Sequence, residues 1–145
     1  MHPAFSVIFF TTASGAGYGL LALAGILAPL GLMAADQRIG TIVLGIAIGL
    51  ITTGLLSSTL HLGHPERAWR AFSQWRSSWL SREGVFSVVA YVPIAIFAFG
   101  WIFQARLDGT TAWAGLACSV LAIVTVYCTA MIYRSLKPIH QWCNV

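Results

Sequence analysis

Residues 39–65 read IGTIVLGIAIGLITTGLLSSTLHLGHP, 27 consecutive positions without Asp, Glu, Lys or Arg. About 20 such residues cross the hydrocarbon core of a bilayer, because a helix rises about 1.5 Å per residue and satisfies its backbone amides internally. Three further stretches pass the same test: 1–35, 84–105 and 109–133, with 35, 22 and 25 residues. The whole chain of 145 residues is 58% hydrophobic and 8% charged, with mean hydropathy +0.81. A soluble domain carries about 25% charge, so a water-facing globule is excluded; so is disorder, since this chain has ample apolar surface to bury. The expected fold is one all-α transmembrane domain over 1–145. It is a four-helix bundle of two antiparallel hairpins, with spans near 5–30, 41–62, 85–103 and 112–133.

Residues within the spans refine this expectation. Pro29 should end or bend the first helix, and Pro93 should kink the third unless a neighbour satisfies the carbonyl it frees. No Lys or Arg precedes the first apolar run, so that run should stay in the mature chain rather than act as a secretory signal. Gly15 with Gly19, and Gly45 with Gly49, stand four apart, the spacing that lets helix backbones approach closely in lipid. Trp69, Trp75, Trp79, Trp101, Trp113 and Trp142 fall in connecting segments or at span ends, where an amphipathic ring prefers the headgroup level.

Charge sets the orientation. Four spans bring both termini and the 63–82 link to one face, which carries Arg67, Arg70, Arg76, Arg82, Arg134 and Lys137. The other face has Arg38 and Arg106. Positive residues accumulate in cytoplasmic loops, so both termini are expected in the cytoplasm. The net charge of +4 then reflects topology and implies no nucleic-acid partner. Cys118 and Cys128 lie inside the fourth span and Cys143 in the tail, without Cys-x-x-Cys or Cys/His spacing. No metal site or iron–sulfur cluster is therefore expected in this chain.

The link between spans two and three is neither apolar enough to cross nor polar enough to be free loop. On a helical wheel over 65–80, Ala68, Ala71, Phe72, Trp75 and Trp79 share one side, while Glu66, Arg67, Arg70, Ser73, Gln74 and Ser77 share the other. That pattern predicts an amphipathic helix lying in the interface, with Pro65 at its first position. It either simply joins two spans, or uses Arg67, Arg70 and Arg76 to dock a partner or an anionic ligand.

Proton-active residues bracket this helix: His61 and His64 before it, Glu83 just as span three begins. A carboxylate at the membrane edge pairs with a cation such as Arg82, or serves a function. Histidine donates or accepts hydrogen bonds near neutral pH. A histidine and a carboxylate beside a lipid-accessible pocket suit quinone chemistry, which needs a hydrogen bond to the ring oxygen and an acceptor for its protons.

The runs His61-Leu-Gly-His-Pro-Glu-Arg-Ala-Trp-Arg-Ala-Phe72 and Ser78-Trp-Leu-Ser-Arg-Glu83 resemble the signature of the dimethyl sulfoxide reductase membrane-anchor subunit family. The opening Met1-His-Pro-Ala-Phe-Ser6 and the tail Ile132-Tyr-Arg-Ser-Leu-Lys-Pro138 are similar to the same family, especially members attached to sulfite-oxidising or related molybdenum enzymes. The resemblance implies a multi-pass subunit of the bacterial cytoplasmic membrane. It would fix a molybdopterin catalytic subunit and a four-cluster iron–sulfur subunit to the bilayer and exchange electrons with menaquinone or ubiquinone, with no haem of its own. Carried over by motif, His61 and Glu83 form the quinol site, and Arg67 and Arg70 lie at its rim or at a subunit interface. Family members usually have eight spans, and these residues account for four. Two other classes stay open from the residues alone: a haem b subunit using His61 and His140, and a non-redox scaffold or small transporter.

Overall fold

The computed structural model describes residues 3–59 and 65–135. It contains α1 (Pro3–Leu27), α2 (Gln37–Thr59), a 3₁₀ helix (Pro65–Gln74), α3 (Trp79–Ala98) continued by a π-helical turn (Phe99–Phe103), and α4 (Gly109–Ser135). The α1, α2 and α4 helices, and α3 together with its π turn, are long and apolar enough to cross a membrane. The described residues include no strand.

Local chemistry sets the ends. The α1 helix stops two residues before Pro29, because the residue preceding a proline is pushed out of the helical region. Asp36 caps α2, its Oδ1 accepting the backbone N–H groups of Arg38 at 2.9 Å and Ile39 at 3.1 Å. Ser78 caps α3 by accepting from the Ser81 N–H. That cap moves the start of the third span to Trp79, ahead of the expected 85. Counting charge-free residues leaves Arg82 and Glu83 outside a helix that in fact accommodates both. The α3 helix runs through Pro93 without interruption, and irregularity comes later as the π turn, where the Arg106 N–H bonds the Gly100 carbonyl at 3.0 Å. Beyond it, Arg106 and Asp108 pair at 2.9 Å on the exposed loop, and the guanidinium holds the Asp108 carboxyl below its usual range.

The contact register shows the expected antiparallel hairpins. Ser57 on α2 bonds the Ser6 carbonyl on α1 at 3.2 Å, and Gly17 meets Ala47 and Ile51 further along. On the second hairpin, Thr129 meets Glu83 at one end and Thr111 meets Gly100 at the other. The α1 and α4 helices join the hairpins, while α2 and α3 touch little along their length. One end of the bundle therefore gathers the starts of α1 and α3, the ends of α2 and α4, and the 3₁₀ helix.

The expected glycine pairs are not the contact points. Gly15, Gly19, Gly45 and Gly49 have open space where a Cβ would stand. The close approach is made by Gly25 against Gly115, where an added Cβ would overlap the Gly115 carbonyl oxygen. Spacing alone could not choose, because every face of these spans is apolar and small residues recur on several. Trp101 is a second correction. It is fully buried, packs on Gly40 and Phe97, and donates its indole N–H to the Ala34 carbonyl at 3.2 Å. Its polar tip is satisfied by protein, so it has no need of the headgroup layer.

Candidate functional site

The segment expected as an amphipathic α-helix over 65–80 is a 3₁₀ helix that ends at Gln74. Three residues per turn bring i and i+3 into register. Trp69 and Phe72 therefore align on one ridge, and Arg70 and Ser73 on another, with Trp75 and Arg76 following in the turn. The sequence has this period of three, which a wheel drawn at 3.6 residues per turn blurs. Arg70 stacks over the Trp69 ring at 5.5 Å and Arg76 over Trp75 at 5.9 Å. Both arginines, like Trp69, Phe72 and Trp75, are exposed, which suits an interface of lipid headgroups or a partner surface.

Arg82, expected to hold the Glu83 carboxylate, does something else. Its Nε donates to the Trp75 carbonyl at 2.9 Å, its Nη2 to the Arg76 carbonyl at 2.6 Å, and its guanidinium lies 4.3 Å from the centre of the Trp79 ring. Successive residues on a helix point about 100° apart, so Arg82 and Glu83 cannot both face the bundle. Arg82 ties the connecting turn to the start of α3. The Arg82 guanidinium and the Glu83 carboxyl are held by different partners.

Glu83 turns inward instead. It lies in the second turn of α3, is 4% exposed, and takes a hydrogen bond from Thr129 of α4. Thr129 also lies 3.1 Å from the Thr125 carbonyl. A hydroxyl donates one proton at a time. When Thr129 donates to Glu83 it stabilises the carboxylate, and when it donates to Thr125 it can accept from the protonated acid. The pair is compatible with both states of the acid, as a proton-exchanging group requires.

Between the start of α3 and the end of α4 is an open cleft of about 410 Å³, which Glu83 does not line. Trp75 and Arg76 from the turn, Trp79 and Arg82 from the start of α3, and Tyr127 and Cys128 on α4 surround it, with Phe86 and Val124 lining it deeper in the spans. Trp79 and Tyr127 meet edge to face, with ring centroids 6.0 Å apart. The cleft offers flat apolar walls to a planar ring and a cationic rim to its oxygens.

Of the residues singled out from sequence, Arg82 and Arg76 meet at this cleft, Glu83 lies one residue along α3 but faces the interior, and Arg70 stands apart on the 3₁₀ helix. His61, His64 and His140 lie outside the described residues, as does the side chain of Arg67. Among the described residues no group of three His, Cys, Asp or Glu could hold a metal ion. Thr129 and the hydroxyls of Tyr18, Ser87 and Tyr91 were not anticipated. The available signal was the spacing Glu83, Ser87, Tyr91, which repeats every four residues and so places one polar line on one face of an otherwise apolar helix.

Known proteins are similar to this chain in sequence. The family model described as DMSO reductase anchor subunit (DmsC) matches residues 1–145. The C subunit of the sulfite dehydrogenase of Allochromatium vinosum is 41% identical over 162 aligned residues, covering 98% of this chain and 48% of that protein. The chain thus spans about half the length of that relative. No solved structure matches.

Proposed function

Since the chain belongs to the DMSO reductase anchor subunit family, we propose that it serves as the quinone-reactive membrane anchor of a molybdopterin oxidoreductase complex. In this reading it passes electrons between menaquinone or ubiquinone and a four-cluster iron–sulfur partner subunit, which relays them to or from the molybdopterin subunit. The observation that carries the reading is a carboxyl buried one turn inside a span and hydrogen-bonded by Thr129, on the helix whose first turns also line an aromatic cleft with an arginine rim.

Oxidising a quinol releases two electrons and two protons. The electrons leave for the partner's cluster. Glu83 receives a proton, and Thr129 stabilises either state of the acid. His61 hydrogen-bonds a ring oxygen of the quinone, and His64 offers a second proton route. Arg82 acts by holding the Trp75–Arg76 turn against α3, which shapes the cleft. The arginine-rich end faces the cytoplasm, with both termini, so that cleft and partner lie on the same side. The test compares membranes of the assembled complex with membranes lacking this chain. Quinol-dependent turnover should vanish without it, while turnover fed by a soluble dye should persist; loss of neither would overturn the reading.

Arg67 and Arg70 of the 3₁₀ helix are assigned to docking. Arg67→Glu with Arg70→Glu should release the extrinsic subunits from washed membranes while the anchor stays inserted, because rim charges govern complementarity between partners more than bundle stability. Full retention of the extrinsic subunits would assign these arginines to lipid headgroups.

A further inference from the structure

Two guanidiniums stand at the mouth of the cleft between α3 and α4. Arg76 is exposed, its guanidinium 5.9 Å from the centre of the Trp75 ring. Arg82 commits Nε and Nη2 to the Trp75 and Arg76 carbonyls, which leaves its Nη1 without a partner among the described residues. No described carboxylate neutralises either charge. Among the described residues the one ion pair is Arg106 with Asp108, at the other end of the bundle, and Glu83 is turned inward to Thr129. Arg134 adds a third positive charge at this end. It is exposed and stands seven residues beyond Tyr127, on the same face of α4.

The cleft also runs from one environment into another. Trp75 at its mouth, and Trp69 and Phe72 on the 3₁₀ helix before it, are exposed, and aromatic rings of this kind settle at the headgroup level. Phe86 follows Arg82 by one turn of α3, and Val124 lies three residues deeper in α4 than Tyr127, so the lining becomes apolar within about 6 Å of the rim. A ligand matched to this cleft carries an anion at one end and hydrocarbon at the other. A soluble anion would use the rim alone. An uncharged quinone ring would use the walls and leave two guanidiniums without a counter-ion. A phospholipid with net negative charge suits both parts, because a guanidinium offers paired donors to phosphate oxygens and basic pockets between spans take such headgroups.

We propose that the α3–α4 cleft binds an anionic phospholipid, its phosphate held between Arg76 and Arg82 and an acyl chain lying along Phe86 and Val124. Arg76, expected from sequence to help dock a partner, serves this site rather than the ridge that carries Arg70. Bound there, the lipid bridges the connecting turn and both spans of the second hairpin. The inference goes beyond the proposed function and does not rest on it, since Glu83 does not line the cleft.

Native mass spectrometry of the full chain tests it, with the protein stripped of lipid in mild detergent and offered phosphatidylglycerol and phosphatidylcholine of identical acyl chains. One Lys or Arg beside an anionic lipid contributes about fivefold in affinity, so phosphatidylglycerol should be retained at least about fivefold more strongly. Arg76→Gln should weaken phosphatidylglycerol by about the same factor and leave phosphatidylcholine unchanged, while Arg76→Lys should keep most of the binding. Arg38→Gln removes a charge from the opposite end of the bundle and should change neither lipid. Equal retention of the two lipids by the unsubstituted chain would overturn the inference without recourse to any variant. So would an Arg76→Gln chain that binds phosphatidylglycerol like the parent, or an equal loss from Arg38→Gln. Millimolar inorganic phosphate should fail to displace the lipid; full displacement would reduce the site to a simple anion contact and overturn the lipid assignment. The adducts are told apart by mass and no turnover is read, so this inference and the proposed function fail separately.

Discussion

Glu83→Gln should lower quinol-dependent turnover about 10²–10⁴-fold, the usual effect of losing a positioned acid–base group. Gln keeps the length of the side chain and can accept from Thr129 through its amide oxygen, so insertion and packing should be preserved. It cannot take up a proton at neutral pH. Turnover fed by a soluble dye bypasses the anchor and should be unchanged. A parallel fall in both activities would make Glu83 a structural residue; no change in either would move the proton route elsewhere, with His64 the next residue to test. The contrast is sharp because the carboxyl is buried: no bulk water stands ready to replace it as acceptor.

The second large effect is on the bundle. Gly25→Ala would drive a Cβ into the Gly115 carbonyl oxygen and the Ser119 hydroxyl. The first obstacle is backbone, so no side-chain rotation relieves it, and α1 and α4 must separate. Ser119 would then lose its 2.8 Å bond to the Ala22 carbonyl. Overpacking of this kind costs about 1–3 kcal/mol and sometimes more, and the variant should unfold several degrees below the parent. Gly45→Ala is the control, since open space awaits its Cβ and alanine is the better helix former. It should unfold at or slightly above the parent temperature. Equal behaviour of the two variants would mean that α1 and α4 are not in backbone contact.

Much of the candidate site was visible as composition but not as geometry. Glu83 drew attention because a carboxylate beside 22 uncharged residues is costly in lipid, and that cost is independent of its neighbours. The identity of its partner was another matter. Adjacent Arg82 was the obvious candidate by sequence, yet helical rotation turns the two side chains apart and gives the carboxyl to Thr129, 46 residues away. The link helix shows the same division. Its apolar and basic residues declared an interfacial segment, but its winding at three residues per turn goes with contacts outside the segment, Phe72 on Gly84 and Arg82 on the turn that follows.

By itself the sequence determined the number of spans, the pairing into hairpins and the face on which the arginines collect. These follow from the free energy of moving charged and apolar groups between water and hydrocarbon, a property of each residue that needs no partner. Only the tertiary structure decided which glycines touch, that Trp101 belongs to the core, and that Glu83 meets Thr129. Inside a bilayer all faces of a span are nearly equal in hydrophobicity, so helix rotation is set by close packing and hydrogen bonds across helices, and these exist only once the partner helix is in place.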